Sequence, residues 1–235
     1  MALPLGRALL NLLWFAVIKL KDKKVGILGL GQSGMAAAEY LHQQQARVWI
    51  LSRGNPTSWP SYGQLESWQM AQHCANDKAG FPGDLSLVVL SPGISREHKA
   101  LRKLKNVPII NEVELAWPTV KAPVIAVTGS NGKTTTVSLL AALLQGMGKK
   151  VFLGGNIGTP LCRYALDPRP VDYIILELSS FQLESLREFH PRVAVLLNIV
   201  PNHGERYKTL AQHHFSTKNF GILLNASYTF QDKSQ

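Results

Sequence analysis

Gly129-Ser-Asn-Gly-Lys-Thr-Thr-Thr136 sets two glycines, a lysine and four hydroxyls between the apolar run Val124-Ile-Ala-Val127 and the helix-forming run Val137-Ser-Leu-Leu-Ala-Ala-Leu-Leu144. A strand, a glycine turn and a helix N-terminus in that order bring backbone N–H groups, a helix dipole and one ammonium around a polyphosphate. The full phosphate-loop pattern would put its first glycine at position 127, which here is valine, so the loop is a shortened variant. Gly129 and Gly132 then supply the turn, with Ser130, Asn131 and Thr135 completing the cradle. Lys133 reaches the terminal phosphates, and the Thr134 hydroxyl is free for Mg2+. ATP is the expected ligand.

Two further groups have chemical potential. Asp172-Tyr-Ile-Ile-Leu-Glu177 reads as a strand ending in a carboxylate, the place where a nucleotide-binding α/β domain often holds an acid toward Mg2+. His203 stands just past another strand end, and a lone histidine is more often structural than ligating. Near the N-terminus, Gly29-Leu-Gly-Gln-Ser-Gly34 follows the strand Lys24-Val-Gly-Ile-Leu28 and matches the dinucleotide fingerprint. The acid that should accept ribose hydroxyls about 20 positions on is replaced by Ser52-Arg53, and arginine suits a phosphorylated nucleotide instead. An NAD(P)-linked oxidoreductase is therefore an alternative reading, with Gly-Lys-Thr unexplained by it.

The elements that must position these residues alternate along the chain. Strands are expected at 24–28, 47–51, 85–90 and 107–110, the last at a sheet edge because it contains proline, with a helix running to about Gln44. Trp117-Pro-Thr-Val-Lys-Ala-Pro123 suits a linker, with a boundary near residue 121. Strands at 123–128, 150–153, 172–177 and 193–198 follow. Strand and helix in alternation imply parallel sheets with crossover connections. The expectation is an α/β protein: an apolar extension at 1–22, a Rossmann-like domain at 23–120, and a P-loop-type ATP-binding domain at 121–235, the latter incomplete.

Composition agrees with a globular chain. Of 235 residues, 46% are hydrophobic, enough for a core, and 25 Lys+Arg against 15 Asp+Glu give +10, which favours anionic partners. The basic residues are scattered without a nucleic-acid-binding motif, so nucleotides rather than nucleic acid are the expected anions. Cys74 and Cys162 fit neither a disulfide framework nor a zinc spacing, which points to a reducing, cytoplasmic setting. Ala8 to Ile18 is apolar but too short to span a bilayer and has no clear small-x-small cleavage site, so it reads as an extra apolar helix not expected to contact membrane, with a membrane or export role as the minority alternative.

Taken together, Gly129 to Thr136, Gly154-Gly-Asn-Ile-Gly-Thr-Pro160, Glu177-Leu-Ser-Ser-Phe-Gln182, Ser91-Pro-Gly-Ile94 and Asn198 to Tyr207 resemble the Mur ligases of peptidoglycan synthesis over roughly residues 23–220. Within that family the order and distances are most like the members that add D-glutamate to UDP-N-acetylmuramoyl-L-alanine. The resemblance implies transfer of the ATP γ-phosphoryl group to the terminal alanine carboxylate, then attack of the D-glutamate amine on the acyl phosphate. It implies one Mg2+ held by Thr134 and Glu177, and a second held by His203 and a carbamylated Lys218. Asn156 and Ser179 would line the muramoyl-alanine side, and Gly31, Ser33, Ser91, Pro92 and Gly93 the uridine side. The sequence departs from the family at Ser52-Arg53 and at Asn202-His203, where the family has acids. A monomer is expected, with the third domain of these ligases absent and the ending fitting a truncated or frame-shifted reading of a longer gene. The lone chain is then expected to bind nucleotide weakly without turnover; a non-catalytic UDP-sugar-binding remnant is the alternative of the binding class.

Overall fold

The structure, a computed structural model, describes residues 20–74 and 80–199, with side chains left undescribed at 72–74. Most of the apolar extension, together with His203 and Lys218, lies outside the described residues. The chain divides into two compact units, one comprising residues up to Val120 plus Thr159–Arg169, the other Lys121–Gly158 and the residues from Pro170.

The first unit is built on five parallel strands: β1 (Lys24–Leu28), β2 (Arg47–Ser52), β3 (Ala71–Cys74), β4 (Leu87–Leu90) and β5 (Ile109–Ile110), in the order β3-β2-β1-β4-β5. Strands covered on both faces should read as unbroken apolar runs. Every residue of β4 is buried, as are Val25 to Leu28 of β1. Helix α1 (Gln32–Gln43) lays Ala36, Ala37, Ala38 and Leu41 on the sheet, where small side chains permit close approach. A short helix, α2 (Tyr62–Ser67), precedes β3. β3 has a mixed, largely polar sequence, Ala-Gln-His-Cys, with no apolar run to announce it, and sequence reading left it out. β5 is an edge strand as expected but shorter, because Pro108 has no N–H to give to a ladder; its carbonyl accepts from Val88 N at 2.8 Å. Gly34 stands inside α1 rather than ahead of it.

Two short helices complete this unit, α3 (Glu112–Ala116) and α5 (Leu161–Leu166), the latter packing on α1 and α3. The Glu112 carboxylate accepts from the N–H groups of Cys162 at 2.9 Å and Leu161 at 3.3 Å, at the start of α5. Arg163 pairs with Glu39 on α1, and Gln43 Nε2 donates to the Leu166 carbonyl at 3.3 Å.

The second unit carries four parallel strands, β6 (Val124–Thr128), β7 (Val151–Gly155), β8 (Tyr173–Glu177) and β9 (Val193–Leu196), in the order β7-β8-β6-β9. Between β6 and β7 runs α4 (Lys133–Gly146), whose Val137 and Ala141 join Val127 and Ile175 in a core flanked by Leu140, Leu144, Val195 and Leu197. A short helix, α6 (Ser180–Leu183), follows β8. In both units the central strand has later strands on both sides, so the loops at its carboxyl end open into the crevice where α/β sheets bind ligands.

Candidate functional site

In the second unit the register sets Val127 of β6 and Gly155 of β7 beside Glu177 at the end of β8. Three carboxyl ends therefore deliver the turn after Thr128, Asn156 and Glu177 to one place. The turn leads into α4 through Gly132, whose φ of 84° lies in the left-handed region that admits glycine. No side chain caps α4, so the first-turn N–H groups of Lys133, Thr134 and Thr135 face outward from the positive end of the helix dipole. Lys133 Nζ folds back over the turn, donating to the carbonyls of Gly129 at 2.7 Å and Ser130 at 3.0 Å.

Glu177 is only 1% exposed. Its Oε2 accepts from the Thr134 hydroxyl at 2.8 Å and its Oε1 from Asn156 Nδ2 at 2.9 Å. Both donors are neutral side chains, so each buried carboxyl oxygen has a hydrogen-bond partner. Gly155 makes this closeness possible: at φ 103°, a side chain there would place its Cβ 2.3 Å from the Glu177 carbonyl oxygen. Ser179 caps the helix that follows β8. Its hydroxyl accepts from Gln182 N while its own N–H donates to Gln182 Oε1 at 2.9 Å, a reciprocal cap on α6.

The first unit has its own cleft, about 720 Å³, at the carboxyl ends of β1, β2 and β4. Gly31, Ser33, Ser91, Pro92 and Gly93 all line it. Ser91 Oγ donates to the Gly29 carbonyl at 2.9 Å, and Ser52 Oγ accepts from Leu30 N at 3.2 Å, so the glycine loop is braced from both neighbouring strands. Arg53 and His98 share the lining. Burial, and then the Arg53 guanidinium, hold His98 below the usual imidazole value. Its Nδ1 accepts from Ala100 N at 3.2 Å, leaving Nε2 to carry the proton of the neutral ring.

Residues 23–111 match the model of the Mur ligase MurD-like N-terminal domain, and residues 127–221 that of the Mur ligase middle domain. The chain belongs to the Mur ligase family. Among curated relatives of these Mur ligase domains, the UDP-N-acetylmuramoylalanine–D-glutamate ligase of Caldanaerobacter subterraneus subsp. tengcongensis is 41% identical over 199 residues, covering 83% of this chain and 44% of that protein. The enzyme of the same description from Nitratidesulfovibrio vulgaris strain DP4 is 42% identical over 192 residues, covering 80% and 44%. The chain thus spans less than half the length of the curated relatives it matches. A solved Mur-type ligase, the UDP-N-acetylmuramate:L-alanyl-gamma-D-glutamyl-meso-diaminopimelate ligase from Neisseria meningitides, superposes with a TM-score of 0.52 at 20% identity. It covers 86% of this chain and 68% of that one, and speaks for the fold alone.

Read as a Mur ligase middle domain, the second unit offers Mg2+ a suitable pair of ligands in the Thr134 hydroxyl and the Glu177 carboxylate. Both are hard oxygen donors, already 2.8 Å apart, and the carboxyl group is buried. No cluster of three or more His, Cys, Asp or Glu suited to a metal occurs among the described residues, and His203 and Lys218 fall outside them. Nor is any helix among the described residues long and apolar enough to cross a membrane. Motif order assigns no role to two residues that brace these loops. His98 has no motif to mark it, whereas Asn198 opens the run to Tyr207 and has a usable signal, a polar residue just past β9 at the carboxyl edge of a parallel sheet.

Proposed function

We propose that this chain is the nucleotide-handling part of a cytoplasmic, ATP-dependent ligase that joins D-glutamate to UDP-N-acetylmuramoyl-L-alanine in peptidoglycan synthesis. The observation that carries this reading is Glu177, buried and shared between Thr134 and Asn156 beside the uncapped start of α4. The 36–42% identity to D-glutamate-adding ligases supports the choice of substrates. Nothing in the fold or the comparisons favours an NAD(P)-linked oxidoreductase or a purely sugar-nucleotide-binding role.

The chain's own groups divide the work. The outward N–H groups of Lys133 to Thr135 hold phosphate oxygens, while Lys133 exchanges its two loop carbonyls for the β- and γ-phosphates. Asn156 fixes one oxygen of Glu177, so the other stays directed at Thr134 and the metal position. Mg2+, when bound there, would supply charge neutralisation on the phosphates. His203 and a carbamylated Lys218 would hold a second ion. The first unit's cleft takes the uridine end of the sugar nucleotide, with Arg53 giving it a cationic wall.

Titration calorimetry of the 235-residue chain with ATP and Mg2+ tests the reading against Lys133→Ala. Losing a charge-assisted contact should weaken binding roughly 10- to 100-fold. Equal affinity in the two proteins, or none in the parent, would overturn it.

A further inference from the structure

We infer that Asn198 is a positioning residue for the phosphate loop, a clasp that presets which loop amides a nucleotide can use. This rests on the nucleotide site proposed above. Asn198 Oδ1 accepts from Asn131 N at 3.0 Å, and its Nδ2 donates to the Asn131 carbonyl at 3.1 Å. Its own carbonyl accepts from Ser130 N at 3.0 Å, and the preceding Leu197 N donates to the Thr128 carbonyl at 3.0 Å. One residue just past β9 therefore grips the backbone of the loop tip across 67 positions of sequence.

The side chain has to be a carboxamide. The two-point contact with the Asn131 backbone needs one donor and one acceptor on the same planar group; aspartate lacks the donor and leucine lacks both. Packing supports the fit, since a Cβ on Gly129 would lie 3.1 Å from Leu197 Cβ and 3.2 Å from the Asn198 backbone nitrogen. A chemical consequence follows. With the Ser130 and Asn131 amides committed to Asn198, phosphate oxygens are left the amides from Gly132 to Thr135 together with the Lys133 ammonium. The clasp holds the loop open in that arrangement before ligand arrives, which lowers the ordering cost of binding.

Amide hydrogen exchange and calorimetry on the full chain and on Asn198→Ala test this together. In the nucleotide-free parent, the Ser130 and Asn131 amides should be protected. In Asn198→Ala, Asn131 should lose protection while Ser130, bonded to the main chain, keeps it. Affinity for ATP with Mg2+ should fall about tenfold, with affinity for UDP unchanged, a split that general destabilisation would not produce. An Asn131 amide that already exchanges freely in the parent would overturn the clasp even if the variant failed to fold, and so would equal ATP affinity in parent and variant. A parent with no affinity for ATP would instead sink the nucleotide site itself, and the exchange rate at Asn131 would still decide the clasp.

Discussion

Glu112 is a carboxyl group that burial keeps protonated far up the pH scale. Desolvation raises it from 4.5 to about 7, against the opposing pull of the Cys162 and Leu161 amides and the Cys162 thiol. Cys162 itself is driven well above the usual thiol value, first by burial and then by the neighbouring Glu112, so it stays an unreactive thiol. The folded state holds the Glu112 proton more tightly than the unfolded chain does. Stability from this group is therefore greatest below about pH 4.5 and falls as pH rises toward about 7, by up to ~1.4 kcal/mol per pH unit, before levelling off. Urea unfolding midpoints of the parent and Glu112→Gln, measured from pH 4 to 8, should diverge in that window, with the variant showing the flatter profile. Parallel profiles would show that Glu112 does not titrate there.

At the scale of elements, the site depends on how closely the ends of β7 and β8 approach. Gly155 and Gly148 both have positive φ, 103° and 76°, yet only Gly155 has a backbone atom in the way of a side chain; nothing lies within 4 Å of the corresponding Cβ position at Gly148. Gly148→Ala should cost about 1 kcal/mol from backbone strain alone. Gly155→Ala should cost about 2–3 kcal/mol more, because β7 or the Glu177 peptide must also shift. That shift should weaken ATP·Mg2+ binding as well, whereas Gly148→Ala should leave it unchanged. Thermal melts and calorimetry on both variants check the contrast, and equal losses at the two glycines would show that close approach at β8 is not limiting. The opposite face of α4 leaves Leu139 and Leu143 more than half exposed, as is Met147 just past its end, so the helix is held by its Val137 and Ala141 side.

On the scale of the whole molecule, two units built on parallel sheets each offer a crevice at the carboxyl ends of their strands, with different chemistry. The first has a braced glycine loop, Arg53 and a neutral His98; the second has an uncapped helix start, a lysine and a buried carboxylate. Hydrogen exchange with each nucleotide should separate them. UDP should slow exchange near Gly31 to Ser33 and Ser91 to Ile94, and ATP with Mg2+ should do so at Lys133 to Thr135. Protection of both segments by UDP alone would contradict the division of labour.

Much of this was legible in sequence because it is local. A glycine turn between an apolar strand and a helix marks itself, and so the loop from Gly129 to Thr135, the strand-end carboxyl of Glu177 and the parallel α/β architecture could be read from order and spacing, and the family from the resemblance of its motifs. What spacing cannot express is pairing across the fold. That Asn198 occupies the amides of Ser130 and Asn131, that Ser179 caps a helix, and that Glu112 meets Cys162 fifty positions away depend on strand register and helix docking. The sequence alone determined which groups are proposed to hold a triphosphate. Only the tertiary structure decided which of their hydrogen bonds were already spent, because each such bond joins residues that chain connectivity leaves far apart.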